Sequence, residues 1–272
     1  IQGTAGAPAV LTYSGVSPYN YGTNATGSTS EQTFTVTNGG AVTATAMADA
    51  GTMALPFDWK GGTYPGVGGD CGGSLASGGT CTIVVTFQPS VNGLVSDQVD
   101  INYENGAILT NATHDVQGTG ADPANLTITE ADPYDYGPVT VTATANHVFT
   151  ISNDGGVTTT AMSEVGVGLP FGFVGGSYPG TTGTCGTTLS SGGSCTINVS
   201  YSPTGTGLQS DTISMSYFNG ASTQNSNRDV QGTGVAAATL TITEADPYDY
   251  GTVPAGRDND FTFTISNAGG SQ

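Results

Sequence analysis

Apolar and polar side chains alternate with a period of two along much of the chain, the pattern of strands with one face in a core and the other in water. In "FTVTN" Phe34 and Val36 point one way and Thr35 and Thr37 the other, and "FTFTISN" (261–267) repeats this with Phe261, Phe263 and Ile265. "CTIVVTF" places Cys81, Ile83, Val85 and Phe87 on one side, and "CTINVSY" does so with Cys195, Ile197, Val199 and Tyr201. Between those two stretches Val84 becomes Asn198, which predicts a solvent-facing position where a polar group costs little. Glycine-rich turns interrupt the pattern roughly every ten residues, and no block of helix formers occurs. The pattern predicts an all-β fold: tandem immunoglobulin-like antiparallel β-sandwiches arranged as a linear rod.

The pattern itself recurs. "LTITEADPYDYG" stands at 126–137 and again, unchanged, at 240–251. "DVQGTGADPANLTI" (115–128) returns as "DVQGTGVAAATLTI" (229–242), and "IQGTAGAPAVLTY" opens the chain with the same element. "TNGG" (37–40), "LPF" (55–57), "GGTYPG" (61–66), "FQP" (87–89) and "INYENGA" (101–107) have counterparts in "SNDGG" (152–156), "LPF" (169–171), "GGSYPG" (175–180), "YSP" (201–203) and "MSYFNGA" (215–221). The chain therefore divides into residues 1–9, the last strand of a preceding or partner repeat; 10–120 and 121–234, two sandwiches of ordinary domain size; and 235–272, the first strands of a third repeat. Those strands carry Leu240, Ile242, Phe261, Phe263 and Ile265 on one face, too little structure to be stable alone in water, so further chain or a neighbouring subunit is expected to cover them. Short linkers, "ADPAN" and "VAAAT", are expected to limit bending. A start at Ile1 is expected of a processed product or of a segment of a longer protein.

The succession "FTVTNGG", "CGGSLASGGTCTIVVTFQP" and "VQGTG" resembles the bacterial choice-of-anchor D repeats, which are similar to the wider group of abnormal-spindle and hydin-type immunoglobulin-like domains. The resemblance covers nearly the whole chain. It implies a domain found in tandem in large secreted or surface-attached bacterial proteins, a spacer or adhesive module without catalytic residues.

Composition narrows the partners. Three Lys and Arg against 21 acidic residues give a net charge of −18, which repels phosphate backbones and anionic headgroups and leaves cations as the expected company. No apolar run approaches the length of a membrane span. Cys71 and Cys81, like Cys185 and Cys195, flank a stretch containing an "SGG" turn, and a bridge closing such a loop stabilises a domain by roughly 2–3 kcal/mol. Zinc would need more ligands than one cysteine pair per repeat supplies, and two free buried thiols are the plain alternative. Paired cysteines at a fixed spacing favour the disulfides, and with them an oxidising, extracellular or cell-surface location.

The seam between repeats holds the remaining candidates. Set beside "LTYSGVSPYNYG" (11–22), the two later copies keep one core: Pro18, Tyr19, Tyr21 and Gly22 become Pro133, Tyr134, Tyr136 and Gly137, then Pro247, Tyr248, Tyr250 and Gly251. That core is expected to end the first strand and pack an aromatic ring over the sandwich edge. Glu130, Asp132 and Asp135, and then Glu244, Asp246 and Asp249, replace Gly15, Ser17 and Asn20. With Asp122 nearby, these carboxylates either bind calcium at the domain junction or initiate turns and cap local amides, the reading favoured because no EF-hand periodicity is present. Calcium is the one candidate ion, and no cofactor is required. His114 and His147 do not recur between repeats and are expected at strand edges on the surface; no nucleophile elbow or phosphate loop accompanies them, and Trp59 lies away from the seam, so a non-enzymatic protein is expected. Tyr64 and Tyr178 sit in glycine-rich loops that would either bind a glycan or cell surface or simply turn the chain. The expectation is a stalk or fibre of an extracellular bacterial surface structure whose partners are copies of itself or adjacent repeats, with an adhesin as the alternative.

Overall fold

The computed structural model describes residues 5–270, and every regular element among them is a strand. The first repeat holds β1 (Leu11–Tyr13), β2 (Tyr19–Ala25), β3 (Ser30–Asn38), β4 (Ala44–Asp49), β5 (Phe57–Trp59), β6 (Ser74–Leu75), β7 (Thr80–Phe87), β8 (Gly93–Glu104) and β9 (Leu109–Ala121). The second holds β10 (Leu126–Ile128), β11 (Tyr134–Thr140), β12 (Ala145–Asn153), β13 (Thr160–Gly166), β14 (Phe171–Phe173), β15 (Ser194–Tyr201), β16 (Gly207–Phe218) and β17 (Thr223–Val235). Beyond them β18 (Leu240–Ile242) pairs only with β19 (Ile265–Asn267).

Each complete repeat is a sandwich of two sheets, ordered β1-β3-β7-β5 over β2-β9-β8-β4-β6 in the first and β10-β12-β15-β14 over β11-β17-β16-β13 in the second. Alternation decides which side chains meet between the sheets. Phe34, Val36, Ile83, Val85 and Phe87 from one sheet are buried with Val99, Ile101 and Val116 from the other, and repeat 2 buries Phe149, Ile151, Ile197, Val199 and Tyr201 with Ile213, Met215 and Val230. All pairing is antiparallel except at one place in each repeat. There β2 runs parallel to β9 with Tyr19 opposite Val116, and β11 runs parallel to β17 with Tyr134 opposite Val230.

The "VQGTG" stretch has a packing reason. Built onto Gly118 or Gly232, a Cβ would fall 2.6 Å from the Phe87 ring or 2.4 Å from the Tyr201 ring, so only glycine lets β9 and β17 lie flat against these fully buried aromatics. Two disulfides, Cys71–Cys81 and Cys185–Cys195, tie the loop before β7 and β15 to those strands, and no cysteine is free.

The outward side of β7 and β15 does not face water as expected. Val84 is 5% and Asn198 8% exposed, because the "GGTYPG" and "GGSYPG" loops fold over them. Lys60 N donates to Val84 O and Val84 N to Pro65 O, and Asn198 Nδ2 donates to the Thr181 carbonyl at 2.9 Å. The asparagine is thus a buried side chain with a partner, not a tolerated surface residue.

The repeats meet through small side chains. Ala25 of the first repeat and Ala124 and Val157 of the second form a buried cluster with Ala121 beside it, and Ala124 N donates to Asn219 O. At Gly220 a Cβ would lie 2.8 Å from that of Ala25, so the hairpin tip between β16 and β17 sits against the first repeat. Residues 1–4 of the segment read as a preceding strand lie outside the described residues. Residues 5–10 form no strand; Ala9 is buried in the first core and its amide donates to Asn105 O, as Ala124 does one repeat later.

Candidate functional site

The Pro-Tyr-x-Tyr-Gly core marks the point at which the first strand changes sheets. β1 and β10 belong to one sheet and β2 and β11 to the other, and Pro18 and Pro133, both preceded by cis peptide bonds, lie in the crossing. Gly22 (φ 75°) and Gly137 (φ 70°) adopt a left-handed conformation where the register slips between Asn20 and Thr23 and between Asp135 and Pro138. The bulge turns Tyr21 and Tyr136 across the sandwich, where their hydroxyls donate to Val85 O at 3.0 Å and Val199 O at 2.9 Å, joining the two sheets. Burial holds both phenols well above their ordinary range, so they stay protonated donors. Tyr19 and Tyr134 meet these rings edge-on and pack against Phe34 and Phe149.

Glu130, Asp132, Asp135, Glu244 and Asp249 each accept from a backbone amide, and a neutral side chain of repeat 1 serves the matching amide for the first three. Glu130 Oε1 accepts from Thr150 N, where the neighbouring Ser14 Oγ accepts from Thr35 N in the first repeat. Asp132 Oδ1 accepts from Asp229 N, as Ser17 Oγ accepts from Asp115 N. Asp135, Asn20 and Asp249 each accept from the amide two residues on, that of Gly137, Gly22 and Gly251, all at 2.8 Å. Glu244 Oε1 caps Thr264 N, and Asp122 Oδ1 accepts from Asn92 Nδ2. The amides hold Asp135 and Glu244 below the usual carboxylate range, with Gln231 adding to the effect at Asp135. Among the described residues no three His, Cys, Asp or Glu side chains converge in an arrangement suited to a metal ion.

Sequence reasoning missed the asparagine of "TNGG" and "SNDGG". Asn38 and Asn153 are fully buried. Asn153 Oδ1 accepts from Asn125 N and Gly155 N while Nδ2 donates to Val157 O and Leu189 O; Asn38 makes the same four bonds with Val10, Gly40, Val42 and Leu75. One amide side chain thereby fixes the start of each repeat to the turn after its third strand. The signal was present as Asn-x-Gly in all three copies, since Asn267 Oδ1 also accepts from Thr239 N and Gly269 N. Glycine is needed at the third position: a Cβ on Gly155 would lie 2.1 Å from Pro123 O.

The third repeat exposes what the second buries. Leu126 is 3%, Ile128 2%, Phe149 0% and Ile151 0% exposed, whereas their counterparts Leu240, Ile242, Phe263 and Ile265 are 70%, 60%, 41% and 64% exposed. Tyr248 stacks on Phe261 at 4.1 Å, and Tyr250 stands 44% exposed with no second sheet to reach.

The histidines depart from the surface placement expected of them. His114 is 4% exposed in the middle of β9, its ring 4.9 Å from Phe34 and 5.3 Å from Tyr13, because its strand position faces the core. His147 is half-buried in β12, and its Nδ1 shares a 2.8 Å hydrogen bond with Tyr134 Oη. Burial lowers the His114 pKa below the ordinary 6.5, against the opposing pull of Asp115 and a backbone bond to Val16. The unfolded chain then takes up the proton first, so this contribution to stability is complete above pH ~6.5 and is lost as pH falls below it. The slope of the repeat 1 urea midpoint between pH ~7.5 and ~5.5 is expected to flatten in His114→Phe relative to wild type; equal slopes would contradict a buried neutral imidazole.

Tyr64 and Tyr178 are turned inward. Their hydroxyls point to Gly72 O and Gly186 O at 3.4 and 3.0 Å, their rings meet Trp59 and Phe173 edge-on, and burial pushes both phenols up to about 12.

No family model and no curated protein matches the chain. Among solved structures, a Porphyromonas gingivalis W83 protein of unknown function is similar over 82% of this chain and 99% of its own, at 11% identity and a TM-score of 0.33. The I67–I69 I-band fragment of titin is similar over 85% and 68%, at 13% identity and a TM-score of 0.35. The Vibrio cholerae VesB protease is similar over 41% and 32%, at 12% identity and a TM-score of 0.33. Likeness at such scores says nothing of what the chain does.

Proposed function

We propose that this chain is a non-enzymatic structural repeat protein, of the choice-of-anchor D kind, from the stalk or fibre of an extracellular bacterial surface structure. The observation that carries this reading is the third repeat, whose strands present to water the side chains that repeat 2 places in its core. Fully burying an aliphatic or aromatic side chain is worth roughly 1.5–3 kcal/mol, so a neighbour that covers the face gains several such contributions at once. Two disulfides suit an oxidising compartment. The small-residue joint between repeats suits a rod that bends little, and seam carboxylates occupied by amides suit a scaffold more than a catalyst.

Electron microscopy of the native material tests the reading: long ordered fibres are expected, and isolated flexible monomers would overturn it. The adhesin alternative draws on the Tyr64 and Tyr178 loops, but their inward hydroxyls favour a role in the turn. Selective glycan binding abolished by Tyr178→Ala would reverse that ranking. Calcium at the seam is tested by melting the protein with calcium and with chelator. Equal midpoints are expected if the carboxylates serve amides alone, and a higher midpoint with calcium would restore the ion to the joint.

A further inference from the structure

In the two complete repeats, residues at the sheet crossing and residues on the closing strand differ together. Repeat 1 has Tyr13 and Ser17 facing His114: the two rings lie 5.3 Å apart, and Ser17 Oγ accepts from the Asp115 amide at 3.1 Å. Repeat 2 has Ile128 and Asp132 facing Arg228. The guanidinium donates from Nη2 to Ile128 O, its Nη1 lies 3.5 Å from Asp132 Oδ2, and Asp132 Oδ1 accepts from the Asp229 amide. Further along, Val230 lies opposite Tyr134 and Gln231 Nε2 donates to Asp135 Oδ2 at 3.0 Å. Asp-Val-Gln is common to both closing strands, so the crossing distinguishes them at one position, where "LTITEADPYDYG" is matched to arginine and "LTYSGVSPYNYG" to histidine.

The third repeat carries that dodecamer unchanged. Ile242, Glu244, Ala245, Asp246, Tyr248 and Phe263 line an open cleft of about 510 Å³, and the counterparts of Ile242 and Asp246 are the two residues that hold Arg228. Asp246 and Asp249 add negative charge there, while Glu244 Oε2 lacks a partner just as Glu130 Oε2 does in the complete repeat and so does not bear on the choice of strand. Lys and Arg number three in the whole chain, so a cation at this position is a specific choice rather than a product of composition.

We propose that the apolar face of residues 240–265 is a docking surface for the closing strand of a further repeat of this kind, lying parallel to residues 248–253 and carrying arginine in the sequence Arg-Asp-Val-Gln. The proposal rests on the reading that a neighbouring repeat covers this face, and adds which strand it is and what chemistry selects it.

The test completes the third repeat within one polypeptide. A second copy of residues 159–235, bearing the arginine, is appended after Gln272; in a parallel chain the matched residues 44–121, bearing the histidine, are appended instead. Amide hydrogen exchange is read across residues 240–267. The arginine-bearing cover is expected to protect these amides, and Arg→Ala or Arg→His in the appended copy to lower the protection by about ten- to a hundredfold. The histidine-bearing cover is expected to protect poorly until Ile242→Tyr and Asp246→Ser are introduced together, a rescue that a general packing failure would not produce. Equal protection by both covers, protection by neither, or protection of the unextended chain through residues 1–6 of a second copy would overturn the proposal. None of these readouts depends on whether the native material forms fibres.

Discussion

Replacing Asn153 with alanine is expected to destabilise repeat 2 by about 3–5 kcal/mol, a large share of the roughly 5–15 kcal/mol that separates a typical folded domain from its unfolded chain. The side chain is fully buried and bonded to four backbone groups, two donors and two acceptors, from the linker, the turn and the loop before β15. Each group left without a partner costs about 1–3 kcal/mol, and a cavity the size of an amide admits at most a water that restores part of the set. Asn153→Asp keeps both acceptor contacts but sets a buried carboxylate oxygen against the Val157 and Leu189 carbonyls, so it is expected to cost at least as much as alanine. Urea unfolding followed through a probe in repeat 2, with repeat 1 as the internal reference, reads the effect. A loss under about 1 kcal/mol would mean that the four bonds do not govern the fold.

Removing the Cys185–Cys195 bridge by changing both residues to serine is expected to cost about 3 kcal/mol, the loop-closure entropy returned to the unfolded chain when a ten-residue separation is no longer tied. Both cysteines are at least nine-tenths buried, so two new hydroxyls add to the loss. The urea midpoint of repeat 2 should fall while that of repeat 1 holds, and the Cys71→Ser, Cys81→Ser pair should reverse the pattern. An unchanged midpoint in either pair would contradict a bridged native state.

What was legible in the sequence was local and periodic. The alternation in "FTVTN" and "CTIVVTF" named core residues that are buried, and a fixed cysteine spacing around a glycine turn named the bridges. What was not legible depends on distant parts of the chain. Val84 and Asn198 are buried because a loop folds back over their strands, which alternation within a strand does not report. His114 was misplaced because the reach of β9 beyond "DVQGTG" is set by its pairing with β8 over twelve residues. The parallel run of β2 on β9 joins segments at opposite ends of a repeat, and nothing in either segment announces the other. The seam carboxylates were legible as a difference between copies; their task was not, because it required seeing that serine or asparagine reaches the same amides.

The central claim, that further chain or a neighbouring subunit covers the face of residues 240–265 in the working protein, is tested most directly by hydroxyl-radical footprinting of Phe261, Phe263 and Ile265 in native assembled material and in the isolated chain of residues 1–272. Oxidation of these side chains in the assembly is expected to fall to the level of Phe149 and Ile151 in repeat 2, while the isolated chain stays reactive. Equal oxidation in the two samples would contradict it.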